Sequence, residues 1–264
     1  MGKRVAVIGG GNMGGALIEG FLKSGKLVES EIVVGTPDEP GQARFRKLGL
    51  TVYADNREAV KNAELVIIAV KPWYVESVAQ EIRSSLKKGT LLVSVAAGVP
   101  LEVLDEFFDE DVSIFRAIPN IAAALGASMT FVSSAEHEEK QAPAVLELFG
   151  LVGVAALVPE SQLDAAMVIA SCGTAYALRY LRASMEAGIQ MGLSAGLSRT
   201  AVAQTMKGAA ELILTSDLHP EAAIDQVTTP GGITIVGLNA MEHKGATSAV
   251  IEGHLAAFRH VKEK

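Results

Sequence analysis

Hydrophobic residues follow two different patterns in the two parts of the chain. Up to about residue 158, short continuous apolar runs alternate with amphipathic segments. Continuous apolar runs are typical of parallel strands that helices cover on both faces. We therefore predict buried strands at 4–8, 31–34, 65–70 and 90–95, and further strands at 112–117, 127–132 and 153–157.

The amphipathic segments between these runs predict helices at 12–24, 41–48 and 73–86. Strand–helix–strand units of this kind build a doubly wound sheet. From residue 159 onwards, apolar residues recur at helical spacing, in 161–191 and 199–215, and no strand pattern follows. The predicted fold is α/β plus all-α, with an N-terminal Rossmann-type doubly wound sheet in residues 1–158 and a C-terminal helical domain in residues 159–264.

Composition adds the expectation of an oligomer. The chain has 264 residues, of which 49% are hydrophobic and 20% charged, so it can bury a large core. Its mean hydropathy of +0.31 is high for a water-soluble protein. We expect part of this apolar surface to be buried between subunits.

Charge and segment lengths exclude several classes of partner. A net charge of −7 argues against nucleic acid, whose phosphates require basic surfaces. No apolar run approaches the ~18 residues of a membrane span, and a strand pattern follows Met1 at once, leaving no room for a signal segment. Cys172 is the single cysteine and permits no internal disulfide. We predict a cytoplasmic protein with neither nucleic-acid nor membrane partners.

A glycine-rich turn follows the first predicted strand and opens the first predicted helix. It contains Gly9-x-Gly11-x-x-Gly14, and this context makes the motif a dinucleotide-binding turn. The first glycine allows the tight turn, the second lets the backbone approach a pyrophosphate, and the third lets helix and strand pack closely. We therefore predict a bound nicotinamide dinucleotide.

The end of the second strand bears on which dinucleotide is bound. NAD-binding turns usually place an acidic residue there, whereas Val34 is followed by Gly35, Thr36 and Pro37. Without that carboxylate, Thr36 could donate to a 2′-phosphate, and Arg44 or Arg57 could add positive charge. The pattern favours NADPH, and the nearby acidic residues 38 and 39 leave NADH as the second option.

A second chemical signal lies in the run 226–238. An apolar helical pattern that includes Thr234 follows Val227, two threonines, Pro230, Gly231 and Gly232. Free backbone N–H groups and a hydroxyl should converge at this helix N-terminus. The run predicts a site for a small carboxylate.

Taken together, these motifs resemble the pyrroline-5-carboxylate reductase family, which reduces a cyclic imine to proline. The resemblance runs the full length, and its motifs stand in the family's order. They are the glycine-rich turn, Ala69-Val70-Lys71-Pro72, Ser94-Val95-Ala96-Ala97-Gly98, Arg116-Ala117-Ile118-Pro119-Asn120 and Thr229-Pro230-Gly231-Gly232-Ile233-Thr234. The last motif is the most specific. The resemblance implies reduction of 1-pyrroline-5-carboxylate to L-proline by hydride transfer from NAD(P)H, the last step of proline biosynthesis.

The resemblance also implies a set of site residues. Thr234 would face the ring nitrogen as the catalytic residue, and the substrate carboxylate would lie on the N–H groups of Gly231, Gly232 and Ile233, with help from the Thr229 hydroxyl. Cofactor contacts, besides the three glycines, would fall on Asn12, Met13, Thr36, Pro37, Asn56, Ala69, Val70, Lys71, Pro72, Ala96 and Ala97. The helical domain would bind substrate and form a homodimer, which some family members assemble into a decamer.

Several positions depart from the family pattern. Thr174 stands where a proline is usual, Ile121-Ala122 replaces Thr-Pro, and Ile233 replaces a smaller residue. Ile233 and Thr174 could reshape the pocket, so the substrate's identity is less firmly implied than the type of reaction.

Three alternative functions stay open. A related imine reductase or a 3-hydroxyacid-type dehydrogenase acting on another small carboxylate could pair the same two domains. The latter usually needs a lysine acid in its central helix, and residues 173–185 hold Arg179 and Arg182 but no lysine. A non-catalytic NADPH-binding sensor would need no carboxylate site.

The histidines do not cluster with cysteine or acidic residues at metal-ligand spacing, and we predict no metal.

Overall fold

The computed structural model describes residues 4–135, 138 and 140–263, and it divides the chain into two units, Met1–Ser171 and Cys172–Lys264. The strands are β1 (Val5–Ile8), β2 (Ile32–Gly35), β3 (Thr51–Tyr53), β4 (Leu65–Ile68), β5 (Leu91–Ser94), β6 (Ser113–Ile118), β7 (Ser128–Ser134) and β8 (Gly153–Leu157). The α-helices of the first unit are α1 (Asn12–Lys23), α2 (Glu39–Lys47), α3 (Asn56–Val60), α4 (Val75–Ile82), α5 (Leu101–Asp105), α6 (Ala142–Gly150) and α7 (Leu163–Met167).

The strands form one sheet in the order β3-β2-β1-β4-β5-β6-β7-β8. Neighbours are parallel except β6 and β7, which are antiparallel. The chain builds outwards from β1 to β3 on one side and then resumes at β4 on the other side of β1. Strand order thus reverses between β1 and β4, and such switch points are where doubly wound sheets bind their ligands.

Alternate residues of each central strand pack on opposite faces of the sheet. In β1, Val5 and Val7 belong to one core, whereas Ala6 and Ile8 belong to the other, and all four are almost completely buried. Helices on both faces explain why the sequence of this strand is continuously apolar. The Rossmann-type sheet and the seven predicted strands are confirmed.

β3 is absent from the predicted strands. Its three residues pair with β2 at the edge of the sheet, where only Val52 is buried and Thr51 is exposed. Because so short an edge strand buries one side chain, its sequence carries no continuous apolar run. The pattern of burial therefore explains why β3 has no hydrophobic signal in the sequence.

The first unit extends beyond the predicted domain boundary at 158/159. α7 packs against β6 and β7 and is followed by a π-helical turn at Val168–Cys172. The Asn120 side chain donates to the carbonyl of Ala170 in this turn over 3.1 Å, and the Ser171 hydroxyl donates to the carbonyl of Pro119. These contacts attach the segment to the sheet. The predicted boundary described a functional division and stays a prediction.

The second unit consists of helices in the residues described. They are α8 (Gly173–Gln190), α9 (Ala195–Leu214), α10 (Pro220–Gln226), α11 (Ile233–His243) and α12 (Ala246–Lys262). Between residues 172 and 263, the fully buried residues are Gly188 and Ser198, where α8 and α9 meet. Large apolar side chains such as Leu178, Leu214 and Val250 are more than half exposed. This unit has almost no core of its own within the chain.

No helix in the described part of the chain combines the length and apolar composition needed to cross a membrane.

Candidate active site

A cavity of about 640 Å³ opens at the carboxyl ends of the strands around the switch point. The residues after β1, β2, β4 and β5 line it, as expected of a dinucleotide site in this fold. The predicted cofactor residues that line the cavity are Gly9, Gly11, Asn12, Met13, Thr36, Pro37, Ala69, Val70, Lys71, Pro72, Ala96 and Ala97.

The three glycines have the geometry that a dinucleotide-binding turn requires. Gly9 has φ +110°, and a Cβ there would lie 2.5 Å from the carbonyl oxygen of Ala69. A Cβ on Gly14 would overlap the carbonyl oxygen of Gly9, so glycine is required there for the close packing of α1 on the turn. Gly14 does not line the cavity. A Cβ on Gly11 would meet nothing within 4 Å, so this backbone faces open space. The turn fits a pyrophosphate.

The cavity has further lining residues that the sequence did not single out as contacts. They are Gly10, Asp38, Tyr74, Val95 and Ile121. Gly10 and Val95 lie inside motifs already recognised, and Tyr74 ends the short 3₁₀ turn that begins with Pro72. Ile121 was noted for its departure from the family pattern, but its position at the cavity depends on the path of the chain after β6.

The loop after β2 has a fixed carboxylate. The hydroxyl of Thr36 donates to Oδ1 of Asp38 over 2.5 Å, and the backbone N–H of Gly41 donates to Oδ2 over 2.7 Å. These two hydrogen bonds, the one from Thr36 first, lower the pKa of Asp38 below its ordinary value. Asp38 is also the N-cap of α2. Its carboxylate is ionised and held in place at neutral pH.

The two arginines considered for a 2′-phosphate have other partners. Arg44 forms an ion pair with Glu19, and Arg57 forms one with Asp55. Neither arginine lines the cavity. The side chains of both ion pairs are partly exposed to solvent. These pairings differ from the expectation that Arg44 or Arg57 adds positive charge beside a 2′-phosphate.

Asn56 also lies outside the cavity lining. It is buried at the start of α3, where its side-chain amide donates to Glu81 over 2.8 Å and its backbone N–H donates to the same carboxylate. Its Oδ1 atom is buried and has no hydrogen-bond partner. The predicted cofactor contact of Asn56 stays a prediction.

In the second unit, the loop before α11 forms a tight turn. The N–H of Gly232 donates to the carbonyl of Thr229 over 2.9 Å, Pro230 follows Thr229, and Gly231 has φ +70°. Proline followed by a residue with positive φ is the signature of a type II turn. The two glycines and the proline are therefore required by the backbone of the turn itself.

This turn sets which N–H groups are available to a ligand. Gly232 is the N-cap of α11 and its own N–H is used within the turn, which corrects the expectation that it would be free. The first turn of any α-helix leaves its N–H groups without acceptors inside the helix, here those of Ile233, Thr234 and Ile235. Free N–H groups and the partial positive charge of a helix N-terminus are typical of an anion site. That this loop binds the substrate carboxylate stays a prediction.

Side chains around this turn are open to solvent in the chain. Thr234 is exposed in the first turn of α11, and Ile233 is 93% exposed. The Thr229 hydroxyl lies against the α-carbon of Gly232, on the side where a Cβ would project. Val227 is the C-cap of α10 and is exposed. The structure thus brings the predicted substrate residues together on one loop, and their roles stay predictions.

The part of the chain that the structure describes holds no group of three or more His, Cys, Asp or Glu side chains able to bind a metal ion. His137 lies outside the described residues. His254 packs edge-on against Tyr176, with the ring centroids 4.7 Å apart, and its Nδ1 atom lies 2.8 Å from the carbonyl of Val250.

Two family models match separate parts of the sequence. The model described as "NADP oxidoreductase coenzyme F420-dependent" matches residues 4–98, and the one described as "Pyrroline-5-carboxylate reductase dimerisation" matches residues 160–264. The first match coincides with the strands that line the cavity, and the second with the end of the first unit and the helical unit.

Known proteins resemble the chain over nearly its whole length. Pyrroline-5-carboxylate reductase of Methanosarcina acetivorans is 32% identical over 263 residues, which cover 99% of this chain and 97% of that protein. Pyrroline-5-carboxylate reductase 1 of Dictyostelium discoideum is 33% identical over 94% of this chain, which spans 47% of that longer protein. The crystal structure of a Plasmodium falciparum pyrroline carboxylate reductase with NADP bound superposes with a TM-score of 0.86 at 27% identity, covering 99% of this chain and 97% of that one.

Proposed function

Because the chain belongs to the pyrroline-5-carboxylate reductase family, we propose that it reduces the cyclic imine 1-pyrroline-5-carboxylate to L-proline, the last step of proline biosynthesis. The chain is an NAD(P)H-dependent oxidoreductase of the class that acts on CH–NH groups. The observation that carries the proposal is the type II turn at Thr229–Gly232, which precedes the open N-terminus of α11. Together with the dinucleotide cavity, it accounts for both reactants.

The residues of the loop would divide the work of holding the substrate. The N–H groups at the start of α11 and the Thr229 hydroxyl would bind the carboxylate, because they are neutral donors pointing towards one anion. The Thr234 hydroxyl, in the same helical turn, would orient the ring nitrogen. Threonine is not a strong acid, so its role would be positioning rather than proton transfer.

In the first unit, the glycine-rich turn would bind the pyrophosphate and the residues after β4 and β5 would contact the nicotinamide. The bound dinucleotide would supply a hydride to the carbon of the C=N bond. A protonated imine is already electrophilic and carries the proton that stays on nitrogen in the product amine, so the reaction needs orientation more than acid catalysis. This demand agrees with a site that offers hydroxyls and N–H groups.

The chain forms an oligomer through its helical part, and we propose a homodimer as its unit. The support is the second unit's surface, where apolar side chains such as Leu214 and Met191 are about three-quarters exposed although only two residues are fully buried between residues 172 and 263. Burying such a surface against a second copy would supply the missing core. A decamer of five dimers is the higher assembly suggested by the family resemblance, and sedimentation velocity would distinguish the two. A cytoplasmic location is part of the same proposal.

The testing experiment is the oxidation of NADPH, with NADH in parallel, by the purified protein. Pyrroline-5-carboxylate, pyrroline-2-carboxylate and piperideine carboxylates would be supplied in separate reactions. Turnover of the first substrate alone would support the proposal and make the departures at Ile233 and Thr174 neutral. Turnover of only another imine would mean that these residues redirect the pocket. Dinucleotide binding without turnover of any imine would refute the enzyme and favour the sensor.

A further inference from the structure

We propose that Asp38 is a cofactor-discriminating residue, whose carboxylate favours the free ribose of NADH over the 2′-phosphate of NADPH. The proposal rests on the proposed function, because it concerns the dinucleotide that the same cavity would bind. NADPH can still bind to the cavity, but the Asp38 side chain sets the ratio of the NADH and NADPH affinities.

Asp38 is placed to contact the dinucleotide, because it lines the cavity together with Thr36 and Pro37 in the loop after β2. In doubly wound folds, the adenosine ribose lies at the end of the second strand, and an acidic side chain there accepts hydrogen bonds from its hydroxyls. The sequence pattern lacks an acidic residue directly after the strand, but the loop brings one to the cavity three residues past Gly35.

The carboxylate of Asp38 is held in place by uncharged groups. Both partners of Asp38, the Thr36 hydroxyl and the Gly41 N–H, are neutral donors, so its negative charge is not cancelled. Each carboxylate oxygen has one such bond and keeps further lone pairs for a ligand. The hydroxyl of Thr36, which could otherwise donate to a phosphate, is already engaged by Asp38. Thr36 is 1% exposed and therefore acts as a positioning residue for that carboxylate.

Among the described lining residues, no cation lies at this end of the cavity to compensate the charge of Asp38. Lys71 is the cation among the described lining residues, and it follows β4 rather than β2. Arg44 and Arg57 are paired with other carboxylates outside the lining. A 2′-phosphate beside Asp38 would therefore meet like charge, whereas a ribose hydroxyl would meet an acceptor.

The test measures dinucleotide binding directly, without substrate. Dissociation constants of NADPH and NADH would be determined by fluorescence titration for the unaltered protein and for Asp38→Asn. Asparagine keeps the N-cap of α2 and a side-chain oxygen, but removes the charge. We expect the NADPH dissociation constant to fall about tenfold, with that of NADH changing much less. Adenosine 2′,5′-bisphosphate and 5′-AMP, used as competing fragments, should show the same change in ratio.

Glu39→Gln is the matched control. It removes one negative charge from the next residue, which begins α2 but does not line the cavity. We expect it to leave the affinity ratio within about twofold, since exposed charges at a distance are screened. Asp38→Ser also preserves a cap and serves if the asparagine variant does not fold.

Each result bears on a different claim. If Asp38→Asn and Asp38→Ser change both affinities by the same factor, the carboxylate has only a structural role and the inference fails. An effect of Glu39→Gln equal to that of Asp38→Asn would likewise overturn it, because the charge would then act without contact. If the unaltered protein binds neither dinucleotide, it is the proposed function that fails, and the inference falls with it.

Discussion

Substituting Gly232 by alanine should damage the carboxylate loop through one identified clash. Gly232 has φ −74° and ψ 165°, which alanine adopts without strain. A Cβ there would overlap Oγ1 of Thr229 and lie 3.0 Å from the carbonyl oxygen of Thr229. The side chain of Thr229 must therefore rotate away. A hydrogen bond from a hydroxyl to a carboxylate contributes about 2 kcal/mol, which corresponds to about a thirtyfold loss in kcat/KM.

Steady-state kinetics with pyrroline-5-carboxylate would measure this loss, and a titration with NADPH should show unchanged cofactor affinity. The decisive comparison is Thr229→Ala with and without Gly232→Ala. Thr229→Ala removes the overlapping Oγ1 atom along with the hydrogen bond and leaves only the 3.0 Å contact with the backbone carbonyl oxygen. Adding Gly232→Ala to it should therefore cost much less than Gly232→Ala costs in the unaltered protein. Gly237→Ala, in the same helix, is the matched control, since a Cβ there meets no atom of this chain within 4 Å. A full additional loss in the double variant would refute the reasoning.

Three further predictions concern other parts of the molecule. Thr234→Ala should lower kcat by about a hundredfold while leaving NADPH affinity unchanged, because an orienting group near the reacting atoms is lost. The control is Thr228→Ala, since the Thr228 hydroxyl donates back to the carbonyl of Ile224. An unaltered kcat for Thr234→Ala would remove Thr234 from the mechanism. Gly9→Ala should destabilise the protein by about 2 kcal/mol, because of its φ of +110° and the nearby Ala69 carbonyl. Gly11→Ala should instead weaken only dinucleotide binding. Equal decreases in the melting temperatures of the Gly9→Ala and Gly11→Ala variants would contradict this. Glu160→Gln should lower the free energy of unfolding by about 2 kcal/mol, since the Glu160 carboxylate accepts from Arg116 over 2.6 Å and from the N–H of Leu101 over 2.7 Å. An unchanged midpoint of urea unfolding would show that the ion pair contributes nothing to this free energy.

The sequence predicts best where one local requirement dominates. The strands β1, β2, β4, β5 and β6 are buried on both faces and are therefore mainly apolar, so the sequence locates them. The edge strand β8 is partly exposed but still carries an apolar run, whereas β3 at the opposite edge carries none. Gly9 and Gly14 were predicted in their structural roles because overlap with neighbouring backbone permits only glycine. The Thr229–Gly232 loop was predicted as an anion site from its position before an apolar helical pattern, and this role stays a prediction.

Long-range pairing is what the sequence could not supply. The partners of Arg44 and Asn56 each lie 25 residues away along the chain, and no local sequence pattern predicts these contacts. Asp38 was noted only as a nearby charge, since its place at the cavity depends on the turn between β2 and α2. The N–H of Gly232 was counted as free because the sequence alone does not reveal which groups a turn consumes.

The helical second unit makes stability a collective property of the molecules in solution. With only Gly188 and Ser198 fully buried between residues 172 and 263, a solitary chain would leave most of the apolar faces of these helices in water. Folding of this part and association of chains are then a single equilibrium, governed by mass action. Dilution acts on such a protein as a denaturant does, and a weak substitution far from the active site can abolish activity at low concentration while remaining silent at high concentration.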